Sequence, residues 1–151
     1  MRDRVDPWLE LKVADFRCAV PVERVREVVR SAALEEAARA PAGVCGTTLS
    51  QGRRVPVVDL GQRFHLAQEK PTQGRILVTR SADRWVGLKV DAVSGVVPVP
   101  QAAIQRLPRE VLTPQSQYFA GAFLDRPDGD EWLILLDVDR LLAGSSERIG
   151  R

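Results

Sequence analysis

The chain has 151 residues, 44% of them hydrophobic and 28% charged, the balance of a folded globular domain rather than a disordered chain. Twenty-two basic against 20 acidic residues leave a net charge of +2, too even for a nucleic-acid binder. Two cysteines and one histidine give no disulfide scaffold, no zinc-ligand spacing and no His-rich metal site. No apolar run approaches the roughly 20 residues of a membrane span, and Met1 to Pro7, with four charges, does not read as a secretory signal. A reduced, cytoplasmic, metal-free protein is expected.

Along the chain, Trp8, Leu9, Leu11 and Val13 interleave with Glu10 and Lys12; after Ala14-Asp15, Phe16, Cys18 and Val20 interleave with Arg17 and Ala19. Period-two alternation on both sides of a short turn predicts a β-hairpin. Val22 to Arg30 places Val22, Val25, Val28 and Val29 at helical spacing and predicts a short helix. Ser31 to Ala40 has high helix propensity, ended by Pro41, although tertiary context can override it. Val55 to Leu60 reads as a buried strand in which Pro56, having no N–H to donate, belongs at a bulge, a strand start or an edge.

A second hairpin is predicted from Arg75 to Thr79 and Arg84 to Val90 around Ser81-Ala82-Asp83. A third runs from Gly121 to Leu124 and Glu131 to Leu136 around Arg126-Pro127-Asp128-Gly129-Asp130. Asp137-Val138-Asp139 before Arg140 to Gly144 reads as an N-cap, a short helix and its terminal glycine, followed by a frayed polar tail. No sequence repeat is evident. Hairpins at short spacing predict small antiparallel barrels or a sandwich.

No catalytic constellation emerges. His65 has no nucleophile elbow to serve and reads as a surface or cap residue after a helical turn. Asp137 and Asp139 lack the rest of a calcium loop and read as a helix cap. Asp125, Asp128, Asp130 and Glu131 read as a solvated hairpin tip, Cys45 as a small buried hydrophobe, and Trp8, Trp85 and Trp132 as core or half-buried packing. The glycines around Cys45 and Gln51 match no phosphate-cradling pattern. No catalytic residue, metal or cofactor is expected; the residues describe a non-enzymatic, β-rich interaction module.

Five blocks between Trp8 and Leu142 resemble the CheW-like chemotaxis coupling proteins. They are Leu9 to Val13 with Phe16 to Val22; Val25-Arg26-Glu27-Val28; Gly46 to Leu60, similar to Gly-Val-x-Asn-Leu-Arg-Gly-x-x-x-Pro-Ile-Val-Asp-Leu; Val86 to Val96; and Tyr118 to Gly121 with Leu133 to Val138 and Leu141-Leu142. The resemblance implies an all-β fold with few short helices: two intertwined five-stranded SH3-like barrels, a hydrophobic seam between them and a short C-terminal helix. It divides the chain into a tail at 1–7, one domain at 8–143 and a tail at 144–151. It also implies that Ser31 to Ala40 is largely extended or irregular.

The function implied is a scaffold that bridges the cytoplasmic tip of methyl-accepting chemoreceptors and the regulatory domain of a CheA-type histidine kinase. Other CheW-like domains are further partners, and the membrane is reached only through a receptor. Carried over by position, Val25 supplies apolar contact and Glu27 a charged contact from helix positions, with core packing and a solvated face as their alternatives. The family arginine is replaced by Gln51, which cannot make a bidentate charged contact to a carboxylate. Arg53 or Arg54 stands nearby as a substitute, and strand alternation selects Arg53 as facing the same way as Gln51. The departure implies a divergent coupler. The alternative is a stand-alone module that binds a receptor or a non-kinase regulator without kinase coupling.

Overall fold

The structure is a computed structural model that describes residues 4–36, 44–66, 74–107, 114–125 and 131–142. The first predicted hairpin is present: β1 (Val5–Val13) and β2 (Phe16–Pro21) pair from Trp8↔Pro21 to Val13↔Phe16. Ala14 takes the left-handed conformation (φ 54°) in the turn, and its N–H donates to Asp91 Oδ2 at 2.6 Å. β1 starts at Val5, paired with Pro100, so 5–7, assigned above to the tail, belong to the sheet.

The helix predicted over Val22 to Arg30 does not form. Val22–Arg24 make a single 3₁₀ turn, and Val25–Arg30 form a strand, β3, whose residues alternate between half-buried and exposed. Valines lose rotamer freedom in a helix and fit a pleated surface. A partner strand, β7 (Arg75–Ser81), is available to satisfy the β3 backbone, and tertiary pairing overrides the 3.6-residue pattern. Ser31–Ala33 form another 3₁₀ turn and Glu35–Glu36 a two-residue strand, β4. The described part of Ser31 to Ala40 is therefore irregular and extended against its local propensity; 37–40 lie outside the described residues.

β5 (Val44–Ser50) and β6 (Arg53–Asp59) form a hairpin across Gln51-Gly52. Pro56 sits opposite Thr47, one residue before β6 begins to pair in parallel with β8 (Arg84–Val90) at Val57↔Gly87. Asp59 then caps a four-residue helix, α1 (Leu60–Arg63), by accepting from the N–H groups of Gly61 (2.9 Å) and Gln62 (3.3 Å). Asp59 is buried. Asp59→Ala should cost about 1–2 kcal/mol, the upper part of the range for a lost N-cap, measured by urea unfolding. His65 is exposed beyond the end of α1 with φ 57°, a surface residue after a helical turn.

The hairpin of β7 and β8 turns at Ala82-Asp83. A strand not predicted, β9 (Ala92–Pro100), pairs with β1. β10 (Phe119–Phe123) and β11 (Leu133–Leu136) pair as predicted; the turn expected at 126–130 lies outside the described residues. A final helix, α2 (138–142), is capped by Asp137, whose Oδ1 accepts from Arg140 N at 3.1 Å. Gly144 and the tail lie outside the described residues.

Two sheets result, ordered β10-β11-β2-β1-β9 and β3-β7-β8-β6-β5-β4. β3 and β4 occupy opposite edges of the second sheet, yet only Ser31 to Leu34 separate them. Six flat strands would be about 24 Å across, and this connection reaches at most about 17 Å. The sheet therefore curls into a barrel, and Thr48 on β5 donates to Ala33 O at 3.2 Å across the closure. The other sheet closes the same way: after β9 and a 3₁₀ turn at Gln101–Ala103, Gln105 bridges to Ala122 on β10.

The barrels repeat one another, although no repeat is evident in the sequence. Glu27↔Val78 through Arg30↔Arg75 in one matches Trp8↔Val97 through Val5↔Pro100 in the other. Each β5–β6-type hairpin carries a register shift beside a glycine, Gly46 or Gly121, and leads to an Asp-capped helix. The repeat is hidden because β1 and β2, from the start of the chain, complete the barrel built mainly from its end. The main core is the seam between the barrels: Leu11, Val13, Cys18 and Val20 of one meet Val58, Leu77, Leu88 and Val90 of the other, with α1 and α2 inserted through Leu60, Phe64, Leu141 and Leu142. Trp8, Ala19, Val99, Leu133 and Leu135 form a smaller core inside the second barrel.

Candidate partner-binding surface

Because β6 and β8 are parallel and both are entered from hairpin turns, Gln51-Gly52 and Ala82-Asp83 lie at the same end of the first barrel. β3, antiparallel to β7, starts at that end as well. The topology thus gathers most of the sequence-selected residues on one rim.

Gln51 (φ 51°) and Gly52 (φ 78°) both lie in the left-handed region, the geometry of a two-residue type I′ hairpin loop. Gln51 is exposed, and Leu49 behind it is 62% exposed, an unusual position for a leucine. The turn also corrects the assignment of Arg53 by strand alternation: Gln51 is not on a strand, so alternation does not relate the two side chains. Arg53 and Arg54 instead separate. Arg54 pairs with Glu35 Oε1 at 2.6 Å and reaches Thr47 Oγ1 at 3.3 Å. The Arg53 guanidinium lies 4.6 Å from the centroid of the Trp85 ring, and the Arg26 guanidinium lies 5.1 Å from the same centroid.

Val25 and Glu27 are on a strand, not on the helix positions assigned above. Val25 is half-buried and packs against the seam core. The Glu27 carboxylate accepts from the hydroxyl of Ser50, a buried residue at the end of β5, so the carboxylate is tied to the base of the Gln51 turn rather than solvated. The rim joins Glu27 to the Gln51 turn through Ser50, and Arg53 to β3 through Trp85; Val25 and Arg54 stand apart from both contacts. Trp85, taken above as packing, is a half-buried platform for two cations. Its one sequence signal is its position, the second residue of a strand that opens directly after a turn.

Other expectations change as well. Asp125 is not a solvated tip residue: Arg17 forks between Glu10 (2.7 and 3.0 Å) and Asp125 (3.2 and 2.9 Å), with all three side chains under a fifth exposed. The hydrogen bonds that Arg17 donates to Glu10 and then to Asp125 push its pKa further up. Cys45 is half-buried, with its thiol 3.5 Å from Val57 O, while burial pushes the Cys18 thiol well above its usual range. Asp139 does not cap; it accepts from Arg24 (2.8 and 3.0 Å) and from Ser81 Oγ at 2.5 Å, tying the link between the barrels to the β7–β8 turn.

Those bonds, Arg24 first, hold the Asp139 carboxyl below the usual carboxylate range. The folded state therefore binds this proton less readily than the unfolded one, and the stabilisation is present above about pH 4 and lost as pH falls below it. Solvent screening keeps the contribution small, since Asp139 is exposed. Asp139→Asn should lower stability slightly at pH 7 and flatten its decline in acid, read by urea titration between neutral pH and about pH 3.

Among the described residues no cluster of His, Cys, Asp or Glu forms a metal site, and every buried side-chain polar atom is hydrogen-bonded. What the surface offers is recognition: an exposed turn, an exposed leucine and an arginine-rich rim. The CheW-like domain model matches residues 7–146. The chain belongs to the CheW-like family. Chemotaxis protein CheW of Rhizobium meliloti is 33% identical over 101 residues, covering 66% of this chain and 65% of that protein. Protein FrzA of Myxococcus xanthus is 28% identical over 144 residues, covering 91% and 85%. The crystal structure of scaffolding protein TtCheW from Thermoanaerobacter tengcongensis shares the fold, with a TM-score of 0.76 at 24% identity over 89% of this chain and 90% of that one. The intertwined barrels and the helices in their seam are thus the CheW-like architecture.

Proposed function

We propose that this CheW-like chain is a non-catalytic adaptor that couples chemoreceptors to a CheA-type histidine kinase in a chemosensory array, as a divergent member. Support comes from the family match over nearly the whole chain and from relatives named for chemotaxis and scaffolding. The observation that carries the reading is the completeness of both barrels within one chain: the seam that joins them is buried core, and the rim of the first barrel presents an exposed turn, Leu49 and arginines. An adaptor transmits a receptor shift only if it holds both partners together. The partners are the kinase regulatory domain, the cytoplasmic receptor tip and other CheW-like domains. No described helix is long and apolar enough to cross a membrane; we place the chain in the cytoplasm, reaching the membrane through a receptor.

Gln51 at the turn tip favours a second reading, a stand-alone module without kinase coupling. Calorimetry with the regulatory domain of the cognate kinase separates the two. Coupling predicts micromolar binding by the native chain, and Gln51→Arg should tighten it by about tenfold, the effect of one charge-assisted contact. No binding by the native chain, with binding gained in Gln51→Arg, supports the stand-alone module. No binding by either refutes kinase coupling.

A further inference from the structure

We propose that Arg26, Trp85 and Arg53 form a preorganised clamp for paired carboxylates on an acidic protein segment. The inference rests on the adaptor reading for the identity of the segment's owner, but not for its chemistry. Two guanidinium groups lie 5.1 and 4.6 Å from the centroid of one half-buried indole, held there by the ring's negative face. Neither arginine makes an ion pair among the described residues, in contrast to Arg17, Arg24 and Arg54. Stacking restrains each planar fork and leaves its N–H groups able to take a carboxylate, so less rotamer freedom is lost on binding.

The surroundings match an acidic partner. Arg80, directly opposite Trp85 in the hairpin, and Arg84 are both exposed on the same rim. Residues 22–91, which include every strand of this barrel, hold twelve Arg and Lys against eight Asp and Glu. A phosphate backbone fits less well. Glu27 is fixed at the rim by Ser50 and Asp83 is exposed in the turn, so a continuous polyanion would meet both. The clamp also supplies cationic recognition beside a turn tip where Gln51 carries no charge.

The test uses the full chain labelled with ¹⁵N and a capped peptide carrying two glutamates four residues apart, with its glutamine counterpart as control. Saturable shifts of the Trp85 indole N–H and of the Arg26 and Arg53 side-chain N–H signals are expected with the glutamate peptide alone, weakening with salt. Arg26→Gln/Arg53→Gln should weaken that binding at least tenfold and weaken kinase-domain binding in parallel. Trp85→Leu should do the same with both arginines retained. Equal shifts from the two peptides, or no loss in the double variant, overturn the clamp. Tighter, arginine-dependent binding of a short single-stranded oligonucleotide overturns the acidic-protein assignment. A clamp that takes the peptide while the native chain ignores the kinase domain overturns the coupling reading and leaves the clamp standing.

Discussion

Arg17→Met is expected to destabilise the fold by about 2–4 kcal/mol, since removing one partner from a largely buried ionic cluster leaves the others uncompensated. Arg17 on β2 is the shared partner of Glu10 on β1 and Asp125 after β10, and it binds each through two nitrogen–oxygen contacts. Methionine keeps much of the stem's packing but leaves two carboxylates without the cation between them. For a domain of this size the melting temperature should drop by roughly 5–12 °C. Arg17→Lys should recover only part of the loss, because one ammonium cannot make two forked contacts. Urea unfolding with an unchanged slope is the check, and a loss below about 0.5 kcal/mol would mean that the cluster contributes no more than a surface pair.

The second large effect belongs to the repeated glycines. A Cβ on Gly46 would lie 2.4 Å from the backbone oxygen of Glu35, and one on Gly121 would lie 2.7 Å from Ile104 Cγ2 and 3.1 Å from Gln105 O. Both sit where a short segment after a 3₁₀ turn closes a barrel, β4 in one and Gln105 in the other. Alanine at either site should cost about 1–3 kcal/mol by overpacking, with Gly46→Ala the more severe because its closest contact is backbone. The two should differ in their rescue. Ile104→Ala removes the methyl that meets Gly121→Ala, so the double variant should be more stable than the sum of single losses by at least about 0.5 kcal/mol. Leu34→Ala should give Gly46→Ala little relief, since the Glu35 oxygen remains. Chemical denaturation of the four singles and two doubles measures both couplings.

The hairpins were legible because each is local: alternation and a turn lie within about twenty residues, as in Trp8 to Val20 and Arg75 to Val90. Barrel closure was not legible, since β3 pairs with β7 at separations of 45 to 54 residues and β9 with β1 at 80 to 95. From Val22 to Arg30 the valine spacing fits a helix, and only pairing with the distant β7 makes Val25–Arg30 a strand. The internal repeat escaped because its two copies are permuted along the chain; Ser31-Ala32-Ala33-Leu34 against Gln101-Ala102-Ala103-Ile104, and Asp59 against Asp137, are the traces that remain. For the candidate surface, the sequence pointed to Glu27, Gln51 and Arg53, but not to Ser50 or Trp85, which bind Glu27 and Arg53. The Ser50–Glu27 link needs strands that meet only when the sheet curls, and the Arg53–Trp85 link needs the parallel pairing of β6 with β8.

The measurement that tests the adaptor account most directly is a reconstitution. A sedimenting assembly of the cognate receptor's cytoplasmic fragment is mixed with the kinase, with and without this chain. Coupling predicts that the kinase enters the pellet only when the chain is present, and that Arg26→Gln/Arg53→Gln reduces its recovery. A chain that sediments with the receptor while the kinase stays in the supernatant would contradict the account.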